Sequence, residues 1–440
     1  MSRWHLRRWW WGAMAVLGAA LVAAIALVTI TLAALRPAPG DWQRRVRVGP
    51  FERDVSVAAA IRLLTHPLAA PLLDGRTVEL GGARWQIAAR GTLITAECAP
   101  CALTVPALGP TPLVFDAARL DVHALGADRY AGTLRLGLAP QDVALPWQAA
   151  LTSKALAFNL QLAPTPIAQL VQVFGHDLPE RDRVQVQGSA GFVLNATWPG
   201  GTVKLKPQLD GFAVSGLGTE QLLHLELPIA CRSGSAADEG AAVTGWLPRA
   251  VVAAEDQRFF EHPGYDLVEI TDALQRNQRA ERRPRGASTI TQQLAKLVVA
   301  GDERSAPRKL RELLYAVEME RTLGKARIQQ LYLDLAPWGN GVCGAERAAR
   351  IYLRKGASEL GPVASAWLAS LLTNPDARLH QLESRGEVDI ERVGRILEDM
   401  RPMSAARREK ALATLPFWSP AIGPAPAVLA REVRPPATAP

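Results

Sequence analysis

Cysteine is scarce in this sequence, with four residues in 440, and the scarcity narrows the chemistry. Cys98 and Cys101 form one CxxC, but no second CxxC and no nearby histidine pair completes a zinc site. The pair lies between strand-like segments rather than ahead of a helix. A local disulfide in an oxidising compartment is therefore the first reading. A thioredoxin-like redox site, without its βαβ setting, is the second. Cys231 and Cys343 have no obvious partners and read as two buried thiols.

Charge is absent from one long stretch. From Gly12 to Leu35 no residue is charged. As a helix rising about 1.5 Å per residue, this run spans ~36 Å, enough to cross a bilayer with some tilt. Arg3, Arg7 and Arg8 stand before it, and Trp4, Trp9, Trp10 and Trp11 suit the headgroup level. The expectation is a cytoplasmic N-terminus over residues 1–11, a transmembrane anchor over 12–35, and everything after Arg36 outside. Arg44, Arg45 and Arg47 weaken the charge asymmetry, although they suit anionic headgroups. A cleaved signal peptide competes, since Ala33-Ala34-Leu35 offers small residues, but the run exceeds an h-region of about 7–15 residues. The formal charge of +8 fits nucleic acid or anionic lipid equally; the anchor decides for the membrane.

The length suggests two domains with tails. Over residues 46–230 apolar and polar residues alternate in short runs, as in Thr77-Val78-Glu79-Leu80 and Ala155-Leu156-Ala157-Phe158-Asn159-Leu160-Gln161-Leu162. Such runs are half-buried strands. Pro164 to Phe174 instead has helical spacing, with Ile167, Leu170, Val171 and Phe174 on one face and Gly175 as the stop. The expectation is a mostly antiparallel β domain with one helix, either lipid-facing or a spacer. Residues 231–244 read as a Gly/Ser/Ala linker. Residues 245–411 then read as almost wholly helical, and 412–440 as a disordered Pro/Ala-rich tail.

The helical half opens with Glu255-Asp256-Gln257-Arg258-Phe259-Phe260-Glu261-His262-Pro263-Gly264. Then come Arg285-Gly286-Ala287-Ser288-Thr289-Ile290-Thr291-Gln292-Gln293-Leu294-Ala295-Lys296, Arg308-Lys309-Leu310-Arg311-Glu312, Lys325 to Asp334, and Ala348 to Lys355. Thr289 and Gln292 have the spacing of a capping box. Taken together these segments resemble the five motifs of the peptidoglycan glycosyltransferases, which polymerise lipid II. The resemblance covers about a third of the chain.

The resemblance implies a mainly α, lysozyme-like glycosyltransferase domain. In it Glu255 is the base for an attacking sugar hydroxyl, and Glu312 is a second catalytic carboxylate near the leaving pyrophosphate. Lys296, Arg304 and Arg308 match phosphate-binding positions. Ser288, Thr289, Gln292 and Gln293 line or brace the cleft, while Asp256, Phe259, His262 and Gly264 shape the turn after the catalytic helix. No cofactor is certain; a divalent cation, Mg or Mn, at the pyrophosphate is the one candidate. The implied partners are lipid II, the nascent glycan, the membrane and other cell-wall synthesis proteins, with no nucleic acid. The implied location is the cytoplasmic membrane, single-pass, with the catalytic domain periplasmic.

The chain departs from the family pattern at Leu297 (for Asn), Gln330 (for Glu), Asp334 (for Asn), Ala287 (for Gly) and Leu353 (for Phe). After Leu412 too few residues remain for a penicillin-binding domain, and no SxxK, SxN and KTG set occurs there. A monofunctional polymerase is therefore expected. A catalytically impaired scaffold that binds lipid II, glycan or a partner is the main rival, and a lysozyme-like hydrolase the third reading.

Overall fold

The protein is described from a computed structural model over residues 31, 33–48, 51–104, 112–175, 177–228, 231, 242–279, 286–300 and 306–421. The expected anchor lies outside these residues, apart from 31 and 33–35. Among the described residues no helix is long and apolar enough to cross a membrane.

The first half is a nine-stranded antiparallel sheet. In chain order the strands are β1 (Gln43–Val48), β2 (Phe51–Ser56), β3 (Thr77–Leu80), β4 (Ala83–Arg90), β5 (Leu93–Cys98), β6 (Cys101–Leu103), β7 (Leu113–Phe115), β8 (Ala118–Gly126), β9 (Arg129–Leu136), β10 (Val143–Leu151), β11 (Leu156–Pro166), β12 (Gln185–Trp198) and β13 (Val203–Ser215). The large sheet runs β13-β12-β11-β10-β9-β8-β5-β4-β3, and β1–β2 and β6–β7 are separate two-stranded ribbons. Only the β6–β7 excursion interrupts a plain meander, and the Cys98–Cys101 disulfide closes its corner.

Register explains the alternation in the sequence. Ala149 faces Phe158 and Trp147 faces Leu160, so the apolar set of β10 and β11 shares one face. Helices α1 (Val57–Leu64) and α2 (Ile167–Phe174) cover that face. α1 packs on Tyr130, Ala149 and Leu151, and α2 sets Val173 among Leu136, Val143, Leu145 and Leu162. The other face keeps polar pairs such as Asn159 with Asn195 at 2.9 Å. At Gly132 the neighbouring strand leaves no room for a side chain: a Cβ there would lie 1.7 Å from the Asp121 carbonyl oxygen.

One expectation needs correction here. The helix begins at Ile167 rather than Pro164, because β11 continues to Pro166. Arg44, Arg45 and Arg47 lie in β1, where Arg45 pairs with Asp54 at 3.2 Å and Arg47 with Glu52 on β2, both arginines staying largely exposed.

The second half comprises α3 (Leu247–Glu255), α4 (Leu267–Arg279), α5 (Ile290–Ala295), α6 (Ala306–Thr322), α7 (Gly324–Leu335), a β14 (Pro337–Gly339) and β15 (Val342–Cys343) hairpin, α8 (Ala345–Leu353), α9 (Pro362–Ser370), α10 (Pro375–Arg385), α11 (Ile390–Asp399) and α12 (Ala405–Thr414). α9 is apolar nearly all round and central. Ala366, Leu368 and Ala369 are fully enclosed, and it packs against α3, α11 and α12.

The two halves are not beads on a string. Ile167, Val171, Leu178, Val214 and Leu217 from the sheet module belong to the same apolar core as the helices. The tail expected from 412 starts later, since Leu415 is buried and Trp418 packs on Trp367 with ring centroids 5.7 Å apart; residues 422–440 lie outside the described ones. Most of the linker does too, but Cys231 within it is no thiol. It forms a disulfide with Cys343, 112 residues on.

That separation gives a test. Closing so long a loop restricts the unfolded chain by about 4–5 kcal/mol in the chain-entropy account, with ~2–5 kcal/mol typical of native disulfides. The double variant Cys231→Ser, Cys343→Ser should melt well below wild type in calorimetry, and Cys98→Ser, Cys101→Ser much less so. Equal melting temperatures for both pairs would refute the assignment of the long link as the stabilising one.

Candidate active site

Glu255 ends α3 and points into the space between α5, α7 and α11. Its side chain is only 11% exposed. Oε2 accepts from Gln293 Nε2 at 3.1 Å, Oε1 accepts from Thr373 Oγ1 at 3.3 Å, and the Arg392 guanidinium lies 3.7 Å from Oε1. Gln293 is itself fixed, because its Oε1 accepts from the Tyr332 hydroxyl at 2.7 Å. Burial first, then Glu255 and Asp256, push the Tyr332 phenol well above its usual range, so it remains a donor. The amide therefore turns its NH2 to the carboxylate. Arg392 is held by the Ser370 carbonyl at 3.0 Å and by Thr373.

The chain next to Glu255 is tied down by a buried polar knot. Asp256 Oδ2 accepts from the Ile290 amide at 2.9 Å, and His262 Nε2 lies 3.0 Å from both its oxygens. Because His262 Nδ1 accepts from the Gly264 amide at 3.1 Å, the ring proton belongs on Nε2 and is donated to Asp256. Gly264 has φ +92°, and a Cβ there would meet the Ala316 carbonyl oxygen at 2.8 Å. Only glycine suits both the conformation and the close approach. Phe259 is fully buried with the Lys325 ammonium 4.4 Å above its ring. Lys325 also donates to the His262 carbonyl at 2.7 Å and to Glu320 at 2.8 Å.

Thr289 caps α5 in a full capping box. Its Oγ1 accepts from the Gln292 amide at 3.1 Å, and Gln292 Oε1 accepts from the Thr289 amide at 3.2 Å. The same hydroxyl donates to the Gly264 carbonyl at 2.8 Å. Thr289 and Gln292 are buried and fully engaged, so of the four residues expected to line or brace the cleft these two brace it. Such a cap contributes about 0.5–2 kcal/mol.

A cationic group surrounds the second carboxylate. Glu312, 3% exposed, accepts from Arg308 on one oxygen and from Lys309 at 2.8 Å on the other. Lys309 also donates to Ser288 Oγ at 2.6 Å. Although about half of its side chain is open to solvent, desolvation of the ammonium, then Arg308 and Lys296, lower its pKa to about 8. Lys296 caps α5 and opens a π-turn over Lys296–Ala300. The structure thus brings Lys296, Lys309 and Arg308 into one field. Arg304 lies outside the described residues.

The family model described as Transglycosylase matches residues 238–401. The helical half is a transglycosylase-family domain. Proteins named biosynthetic peptidoglycan transglycosylase are similar to it. The one from Nitrosomonas eutropha is 44% identical over 133 residues, 30% of this chain and 54% of its own length. The one from Azoarcus sp. is 48% identical over 129 residues, 29% and 56% respectively. The one from Methylobacillus flagellatus is 42% identical over 152 residues, 34% and 65%. The chain thus spans between about half and just under two thirds of these relatives.

Within this transglycosylase-family domain, sequence reasoning missed Arg392, Thr373 and Tyr332 as neighbours of Glu255, and Lys309 beside Glu312. Lys309 stood inside a motif already quoted; Arg392 and Thr373 carried no local signal. Leu353 fills the core and Leu297 is exposed. Among the described residues a divalent cation finds no protein-made cage. Among the described residues no three His, Cys, Asp or Glu side chains gather as ligands, and both Glu312 oxygens already accept from cations. These residues do not fit a metal held by the protein alone.

Asp334, at the position of an expected Asn, sits in the last turn of α7. Burial raises its carboxyl from 3.8 to about 6, with Arg327 opposing. The folded chain therefore holds a proton here that the unfolded chain has released between pH ~4 and ~6, and stability from this group falls as pH rises through that window. Asp334→Asn should raise the melting temperature at pH 8, with the gain shrinking below pH 6 and gone below about pH 4. A gain of the same size at pH 3.5 and pH 8 would show that burial of the charge is not the cause.

Proposed function

We propose that the protein is a membrane-anchored peptidoglycan glycosyltransferase that polymerises lipid II and releases undecaprenyl diphosphate. The observation that carries this reading is the Glu255 carboxylate, oriented by Gln293, Thr373 and Arg392 in the same domain as the Lys296, Arg308 and Lys309 group. The relatives' printed name, biosynthetic peptidoglycan transglycosylase, supports the same class.

In this reading Glu255 takes the proton of the acceptor sugar 4-hydroxyl as its oxygen attacks the anomeric carbon of the donor. The bond from that carbon to the lipid pyrophosphate breaks, and the departing charge is met by Lys296, Arg308 and Lys309, with Arg304 assigned to the same role. Glu312 keeps Arg308 and Lys309 gathered. Two disulfides favour an oxidising compartment, and the charge-free run Gly12–Leu35 favours a single-pass anchor with the catalytic domain on the periplasmic side. A reporter active only outside the cytoplasm, fused after Ala411, should be active; a silent one beside a working cytoplasmic reporter would reverse the orientation.

Labelled lipid II and the detergent-solubilised protein test the activity. Long glycan chains support polymerisation, cleavage of preformed glycan would indicate hydrolysis, and neither product would leave a scaffold. Glu255→Gln keeps size and polarity but cannot accept the proton, so polymerisation should drop ~10²–10⁴-fold with the melting temperature and lipid II binding retained. A Gln variant working at the wild-type rate would sink the assignment of the base.

A further inference from the structure

Helix α6 carries Arg308 and Glu312 on one stripe and is gripped by the sheet module along another. The second stripe is Arg311, Tyr315, Glu318 and Thr322, spaced by four, three and four residues, which places them along one side of the helix. Each of the four reaches the sheet module.

The first grip is Glu180, in the connection between α2 and β12. It is 4% exposed, and burial alone would raise its carboxyl. The Arg311 guanidinium and the Tyr315 hydroxyl outweigh that and hold it below the ordinary carboxylate value. Arg311 Nε lies 3.0 Å from both Glu180 oxygens, a second guanidinium nitrogen reaches Oε1, and Tyr315 donates to Oε1 at 3.0 Å. Arg183 adds a bond to the Tyr315 hydroxyl at 3.3 Å. The Arg311 guanidinium also donates to the Val299 carbonyl, which lies in the π-turn that begins at Lys296.

The second grip is two turns further along. Glu318, 1% exposed, accepts from the amides of Leu217 at 2.9 Å, Gly218 at 3.1 Å and Thr219 at 3.4 Å, and from the Thr219 hydroxyl at 3.3 Å. Thr219 and Thr322 share a hydrogen bond of 2.7 Å. With two buried carboxylates fixed on opposite sides of the interface, α6 can neither slide nor turn about its axis without stranding a charge.

We propose that the sheet module is the positioning element of the catalytic helix, and that Glu180, acting through Arg311, sets the rotation of α6 and the place of the Lys296 turn so that Arg308, Lys296 and Glu312 converge on the leaving group. Glu180 is a positioning residue: it touches Arg311 and Tyr315, not substrate. Without its charge the Arg311 fork loses its anchor, and with it the hold that the same guanidinium keeps on the Val299 carbonyl in the Lys296 turn. The proposal rests on the polymerase reading for its rate measurements but not for its exchange measurements.

The test uses the full chain in detergent. Glu180→Gln should lower kcat for lipid II by roughly 10–100-fold, the scale of a small misplacement of reacting groups, while KM changes little. Arg311→Gln should do the same, and the double variant should be no worse than either single one, because both break one link. Tyr315→Phe, which removes one hydroxyl and keeps the ring, should give a smaller fall. It also serves as the deciding variant if Glu180→Gln does not fold. Backbone hydrogen exchange should quicken over residues 306–322 and 296–300 in Glu180→Gln. A folded Glu180→Gln protein with kcat within twofold of wild type, or with unchanged exchange in both segments, would overturn the proposal; so would additive losses in the double variant. If wild type makes no glycan, the polymerase reading fails, and the exchange comparison alone decides whether Glu180 holds α6.

Discussion

The arrangement of the helical half depends on one buried carboxylate. Asp256 takes a hydrogen bond from the first amide of α5 and another from His262, and His262 in turn fixes the Gly264 amide. The adjacent residue is Glu255, so what fixes Asp256 fixes the backbone from which the proposed base projects. A buried carboxylate that loses a hydrogen-bond partner is costly, by ~1–3 kcal/mol for an unsatisfied buried polar group and more for a charged one. The turn after α3, the start of α5 and, through Lys325 on the His262 carbonyl, the start of α7 are therefore held in one arrangement. The odd run of polar residues in this part of the sequence is a consequence of that knot: Thr289, Gln292 and His262 serve each other and the backbone before they could serve a ligand.

The same logic separates what the sequence made legible from what it hid. The capping box at Thr289 and Gln292 was readable because both its bonds are three residues apart, and the half-buried strands were readable because period-two alternation survives wherever one face of a sheet stays wet. Arg392 and Thr373 were not readable. They reach Glu255 from a loop and a helix more than a hundred residues downstream, and nothing local distinguishes them from an ordinary surface arginine and an ordinary loop threonine. Glu180 was hidden for the same reason, its partner lying 131 residues away. Cys231 and Cys343 looked partnerless because a disulfide across 112 residues leaves no trace in spacing.

The boundary errors have a common cause. Composition suggested that the fold ends where Pro and Ala dominate, yet Leu415 and Trp418 are apolar side chains close enough to α9 and α11 to be enclosed by them. Burial of one or two large side chains, at about 1.5–3 kcal/mol each, is enough to retain a short segment whose average composition reads as tail. The β11 extension to Pro166 likewise follows from pairing, since Thr165 and Pro166 continue opposite Ala190 and Ser189.

The connection at the start of the described chain leaves little slack. The Leu35 carbonyl accepts from the Ser56 amide, the Trp42 amide donates to the Ser153 carbonyl, and Val57 donates back to Trp42. Residues 35–48 and 51–57 are thus tied to one another and, through the Trp42 amide, to the turn that follows β10, and the sheet shares its core with the helices. In mechanical terms the sheet is a bracket rather than a tether: a load applied before Leu35 has no loose chain to take it up, and passes through the strands to the helices.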